Sequence, residues 1–244
     1  MTRTERDVRI DLAAAYRLAA QRGWDDTVYT HISASVPGEP GVYLINPFGA
    51  RFDEISASAL VKVDTRGRVV DGSNARVNPS GFAIHGAVHA ARPEIECVMH
   101  LHTQAGVAIA MLPDGLQATS QWAMRLHGRL GRHAYEGLAF GADEQARLAT
   151  DLGMLDGVIL ENHGPLIVGR TVAEAWMLMY LFDRAAQAQL AAMAACGGNV
   201  NVVGDELAAL TYRQWVGDGS ERDGDIEWPA LLRGLDRADP SYRN

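Results

Sequence analysis

Lysine is almost absent from this chain, with Lys62 the only one. A Schiff-base mechanism therefore has a single candidate. It lies in Leu60-Val61-Lys62-Val63-Asp64, a strand pattern that turns Lys62 outward. Cysteine is scarce too: Cys97 and Cys196 build no disulfide framework. Alternation turns Cys97 to one face of its strand with Met99, and Cys196 ends a helical stretch, so both read as packing residues. No basic cluster offsets a formal charge of −8, from 22 basic and 30 acidic residues, which argues against a nucleic-acid partner. No run has the length and apolarity of a membrane span. Met1-Thr2-Arg3-Thr4-Glu5-Arg6 leads into an amphipathic pattern rather than an apolar leader, so a cytoplasmic protein without membrane contact is expected.

What the chain does contain is histidine in a telling pattern. His100-Leu101-His102 closes the apolar run Glu96–Met99, which reads as a buried strand. Residues i and i+2 of a strand share a face, so two imidazoles point the same way. One reading is a hydrogen-bonded pair of core histidines. The reading favoured here is a divalent metal site, since imidazole suits zinc, iron, manganese and cobalt. His163, in Asn162-His163-Gly164 after a second short strand, is a candidate third ligand.

At 244 residues and 48% apolar composition, the chain fits one large domain with a substantial core. A helical stripe (Val8, Leu12, Ala15, Tyr16, Ala19) runs from about Glu5 to Gln21 and stops at Gly23. Strands are expected at Tyr29–Ala34, Val42–Ile45, Leu60–Val63 and Val69–Val70, separated by turn-forming Pro and Gly. Ser80 is expected to cap a helix from Gly81 to about Ala91. Further helices are expected near Gln104–Met111 and Asp143–Leu152, with strands at Val158–Glu161 and Leu166–Val168 around the Asn-His-Gly turn. Thr171-Val172-Ala173-Glu174 reads as a capping box heading a long helix. The expectation is an α/β fold, a three-layer α/β/α sandwich on a mostly antiparallel sheet, over residues 1–204. Residues 205–244 read as a tail that packs on a neighbouring subunit or stays mobile.

Taken in order, Thr30-His31-Ile32-Ser33-Ala34, Asn46-Pro47-Phe48-Gly49, Asn78-Pro79-Ser80-Gly81-Phe82, His85…Arg92-Pro93, His100-Leu101-His102 and Asn162-His163-Gly164…Gly169 form a specific set. Over roughly residues 5–200 the chain resembles the class II aldolase/adducin family. The resemblance implies an α/β/α fold and a homotetramer with active sites between subunits. It also implies one divalent metal ion per subunit, zinc first with manganese, iron or cobalt as alternatives, held by His100, His102 and His163. The family's sugar-phosphate aldolases carry a glutamate at Gly81, serines at Pro79 and Ser80, an asparagine at His31 and a serine at Phe48. Those differences remove an acid/base group and most of a phosphate cradle, and they place the chain nearer the adducin-like branch.

The expected function is a metal-dependent C–C lyase, by retro-aldol cleavage or decarboxylation, on a small non-phosphorylated hydroxy/oxo carbonyl or carboxylate substrate. The absent glutamate at Gly81 raises decarboxylation, which removes no C–H proton. Ser80, Gly81 and Phe48 would shape the substrate pocket. Arg125 is either a carboxylate clamp or a solvated helix residue. Tyr135 is either the family's catalytic tyrosine from a neighbouring subunit or a packing residue. His31 would meet a carboxylate if protonated or a hydroxyl if neutral, or else stabilise its loop. His85 reads as structural, and Glu161 as support for His163. Two other functions stay open: an Fe(II)-dependent oxygenase on the same ligands, and a non-catalytic adducin-like scaffold.

Overall fold

The computed structural model describes residues 3–137 and 141–244; the side chains of Pro79, Ser80, Phe82 and Ala142 fall outside that description. Helix α1 (Glu5–Gln21) opens with a capping box in which Thr4 accepts from the Asp7 N–H and Asp7 accepts from the Thr4 N–H. Its Val8, Leu12, Ala15, Tyr16 and Ala19 are all buried, as the stripe requires. The helix ends where Gly23 takes φ +64°, a conformation that needs no β-carbon.

Strands β1 (His31–Ser35), β2 (Val42–Ile45) and β3 (Val61–Asp64) form an antiparallel edge. Val69, expected to open a further strand, makes only an isolated bridge to Val63. Helix α2 (Pro79–Ala91) starts at Pro79 rather than after Ser80, which suits a residue lacking an N–H in a first helical turn. Then come β4 (Cys97–His100), α3 (Gln104–Ala110), α4 (Gln121–Met124), β5 (Leu130–His133), α5 (Ala142–Leu152), β6 (Gly157–Leu160), β7 (Gly164–Gly169) and α6 (Val172–Ala195). The sheet order is β3-β2-β1-β4-β7-β6-β5, and among the described residues the β5–β6 pairing alone is parallel.

Alternation divides the sheet between two helical layers. Ile32, Ala34, Leu44, Cys97, Met99, Ile159 and Ile167 pack with α1, α3 and α6. Val98, Val158, Leu166 and Val168 pack instead with Ile84 and Val88 of α2 and Leu148 and Leu152 of α5. Full burial of such side chains stabilises by roughly 1.5–3 kcal/mol each relative to exposure. This is the expected three-layer α/β/α arrangement. Thr171 caps α6 through the Glu174 N–H, but the Glu174 carboxylate accepts from Arg170 N–H, one residue earlier than a capping box predicts. Cys196, expected to pack, is exposed just beyond α6.

The segment after residue 204 differs from the expected tail. It forms α7 (Asp205–Val216), α8 (Glu227–Ala238) and a short 3-10 turn, Pro240–Arg243, folded back on their own chain. Trp228 is 5% exposed, and its indole N–H donates to Asp11 of α1 at 2.9 Å. Tyr242 and Leu235 join the core around α1. The reason is chemical: the isolated aromatics Trp228 and Tyr242 bury large apolar area while each keeps a polar partner, Asp11 and Asp236. Among the described residues no helix is long and apolar enough to cross a membrane.

Candidate metal centre

His100 ends β4, in register with His31 on β1 and Leu166 on β7. His102 lies two residues past the end of that strand. His163 sits in the β6–β7 turn, where Asn162 takes φ +56° and Gly164 φ +150°. Asparagine tolerates the left-handed region better than most residues, and the Asn162 N–H is anchored on the Ala110 carbonyl at 3.0 Å. The Asn-His-Gly sequence is thus a turn that swings one imidazole over the end of the sheet.

The three rings converge. His100 Nε2 lies 3.1 Å from His163 Nε2 and 3.1 Å from His102 Nε2. Their other nitrogens decide what these contacts are. His100 Nδ1 faces the Pro165 carbonyl at 3.1 Å, and His102 Nδ1 faces the Asp26 carboxylate at 2.9 Å. Both oxygens only accept, so both Nδ1 atoms carry hydrogen. Burial and the neighbouring histidines hold His100 well below the usual histidine pKa, and burial and His102 lower His163 to about 4. A neutral His100 with Nδ1–H turns a bare Nε2 lone pair toward the Nε2 atoms of both His102 and His163, an arrangement that suits a shared cation. Metal–nitrogen bonds of about 2.1 Å would put ligand nitrogens roughly 3.4 Å apart at tetrahedral angles and about 3.0 Å apart at right angles. The observed 3.1 Å falls inside that span. His100, His102 and His163 therefore fit a divalent ion, and Asp26 and the Pro165 carbonyl orient two of them.

His31 is buried beside this cluster, its ring centroid 5.7 Å from that of His100. A β-carbon at Gly81 would sit only 2.8 Å from His31 Cδ2 and 2.9 Å from its Nε2. The imidazole therefore fills the space that a side chain at position 81 would enter. Burial first, then His102 and His163, pull the His31 pKa down to about 3.

The remaining expected residues divide. Tyr135, 55% exposed, lines a cleft with His163, Glu161 and His133 of the same chain. That cleft encloses about 20 Å³, room for about one water. Glu161 bonds to Arg132 at 2.9 Å rather than to His163. Phe48 lies between Tyr29, at 6.3 Å, and the Arg76 guanidinium, at 5.9 Å. Arg125 is not brought to the histidines: it pairs with Asp223 and stacks over Trp215 at 4.5 Å. The side chain of Ser80 lies outside the described residues.

Sequence reasoning passed over Asp26, whose only signal was an acidic pair after the first helix. It also passed over His133, buried on the edge strand β5, with Nδ1 bonded to Asp151 at 2.7 Å and Nε2 without a partner among the described residues.

Comparison with known proteins agrees with this architecture. A Caulobacter vibrioides protein, described only provisionally as an aldolase class 2 protein, is 44% identical over 242 residues, 99% of this chain and 94% of the relative. Alpha-adducin of Mus musculus is 40% identical over 245 residues, 95% of this chain but 33% of adducin. The crystal structure of an aldolase II superfamily protein from Pseudomonas syringae superposes with a TM-score of 0.93 at 41% identity, covering 100% of this chain and 98% of the other. An L-fuculose 1-phosphate aldolase from Glaciozyma antarctica PI12 superposes with a TM-score of 0.87 at 30% identity, covering 98% and 93%. The family model for the class II aldolase and adducin N-terminal domain matches residues 10–190. The chain belongs to the class II aldolase/adducin family.

Proposed function

We propose that this protein is a metal-dependent C–C lyase acting on a non-phosphorylated hydroxy/oxo carbonyl or carboxylate compound. The observation that carries the proposal is the convergence of His100, His102 and His163, with Nδ1 of the first two committed elsewhere. A divalent ion held there, zinc first, supplies a Lewis acid for negative charge developing beside a breaking carbon–carbon bond.

The chain's own residues narrow the chemistry. Gly81 brings no carboxylate, and His31 occupies its space, so proton transfer at that position falls to an imidazole. Phe48 presents an aromatic face where the family's sugar-phosphate aldolases carry a serine, which supports a substrate without phosphate. Tyr135, which is exposed, would donate a proton to a departing group in a neighbouring subunit's site. In a homotetramer with sites between subunits, its exposure is where a neighbour's surface would close.

The direct test is to load the protein with zinc or manganese and screen small hydroxy-ketones, hydroxy-aldehydes and hydroxy-carboxylates for carbonyl or CO₂ release. Cleavage by the wild type, lost in His102→Ala, is the expected result. Oxygen consumption by the anaerobically prepared, iron-loaded protein would instead support an oxygenase. Sedimentation is expected to give a tetramer; a monomer would remove the shared-site part of the proposal.

A further inference from the structure

The polar face of β1 carries His31, Ser33 and Ser35, alternating with the core residues Ile32 and Ala34. Opposite them, one turn apart on α2, are His85 and His89. These five side chains form one unbroken hydrogen-bonded chain. Ser35 Oγ donates to the Ile95 carbonyl at 3.0 Å and lies 3.2 Å from His89 Nδ1. His89 Nε2 is 2.8 Å from Ser33 Oγ, and Ser33 Oγ is 2.6 Å from His85 Nδ1. His85 Nε2 is 2.8 Å from His31 Nδ1.

A single fixed acceptor sets the direction of every link. The Ile95 carbonyl takes the only hydrogen of Ser35, so Ser35 must accept from His89 Nδ1–H. A neutral imidazole has one N–H, so His89 Nε2 is bare and accepts from Ser33. Ser33 has then used its hydrogen and accepts from His85 Nδ1–H. His85 Nε2 is bare in turn and accepts from His31 Nδ1–H. The neutrality this requires at His89 and His85 follows from their burial, which draws His89 to about 4 and His85 well below the ordinary value.

We infer that the Ser35–His89–Ser33–His85 chain holds His31 as its Nδ1–H tautomer, with its Nε2 turned toward Gly81. Ser33, Ser35, His85 and His89 are positioning residues, acting through His31. The inference about the tautomer stands apart from the lyase proposal.

The test is nitrogen-15 NMR of histidine-labelled protein at neutral pH, in which the protonated and bare ring nitrogens of a neutral imidazole resonate far apart. Wild-type His31, His85 and His89 are each expected to show Nδ1–H and bare Nε2. Ser33→Ala cuts the chain between His85 and His89, and His31 is then expected to populate the Nε2–H form; Ser33→Thr, which keeps the hydroxyl, restores the wild-type pattern. Turnover, once a substrate is found, should fall roughly 10-fold or more in Ser33→Ala. Nε2–H at His31 in the wild type would overturn the inference, with or without a folded variant. An unchanged His31 signature in folded Ser33→Ala would overturn the role of the chain. Neither reading depends on turnover, so absence of lyase activity would be a separate result.

Discussion

At the scale of single residues, Asp26 shows how the centre is tuned. Its carboxylate faces His102 Nδ1 at 2.9 Å, yet it is itself about half exposed, at 47%. It holds the ring in the tautomer and orientation a ligand needs without being a ligand. Asp26→Asn should therefore fold normally and bind zinc roughly 10- to 100-fold more weakly, because an amide sets the imidazole less firmly than a carboxylate does. Competition with a chromogenic chelator measures this, and unchanged affinity would show that Asp26 plays no part. His100 and His102 were legible in the sequence because spacing of two in an apolar run has few explanations. Asp26 was not, because it is about seventy-five residues from its partner in sequence and nothing local marks an acidic residue as an acceptor for a remote ring.

At the scale of elements, β1 and α2 meet through a polar seam inside an otherwise apolar layer. His85 and His89 are buried there and neutral, with pKa values below the ordinary 6.5, about 4 for His89. The sign of the pH effect follows. As pH falls from 6.5 toward 4, these histidines take up protons in the unfolded chain before they can in the folded one, so acid favours unfolding. Urea midpoints of the metal-free protein should fall between about pH 7 and pH 5, above the range where carboxylates titrate, and His89→Gln should flatten that fall. A midpoint constant across this range would contradict the buried, neutral seam. The seam was half visible in the sequence: histidines four apart on a helix and polar residues two apart on a strand each have the right period. Only the register between the two elements aligns them, and register is a tertiary property. For the same reason β5 escaped notice, since Leu130-Gly131-Arg132-His133 lacks alternation and becomes a strand only by parallel pairing with β6.

At the scale of the whole molecule, the segment beyond residue 204 packs against the sandwich through Trp228, Leu235 and Tyr242. Trp228 is buried between α1 and α6, with its ring 6.1 Å from that of Trp176. Arg125 and Arg129 both pair with Asp223, tying the loop before α8 to the base of the sheet. Trp228→Ala should cost about 3–5 kcal/mol, the range for emptying a large aromatic site. A single, shifted unfolding transition in denaturant is expected; loss of under about 1 kcal/mol, or a separate early transition, would mean the segment is an appendage. The sequence showed aromatics spaced among charges there. It could not show that their polar partners, Asp11 above all, lie on the first helix, more than two hundred residues away. The three-layer sandwich itself was legible, because periodicity and the family motifs both report on the same buried faces.

The most direct measurement of the central claim is elemental analysis of purified wild type, His102→Ala and His163→Ala after equilibration with zinc and removal of the excess. The three-histidine centre predicts one tightly held ion per chain in the wild type and none in either folded variant. No bound metal in the wild type, or equal metal in all three, would contradict it.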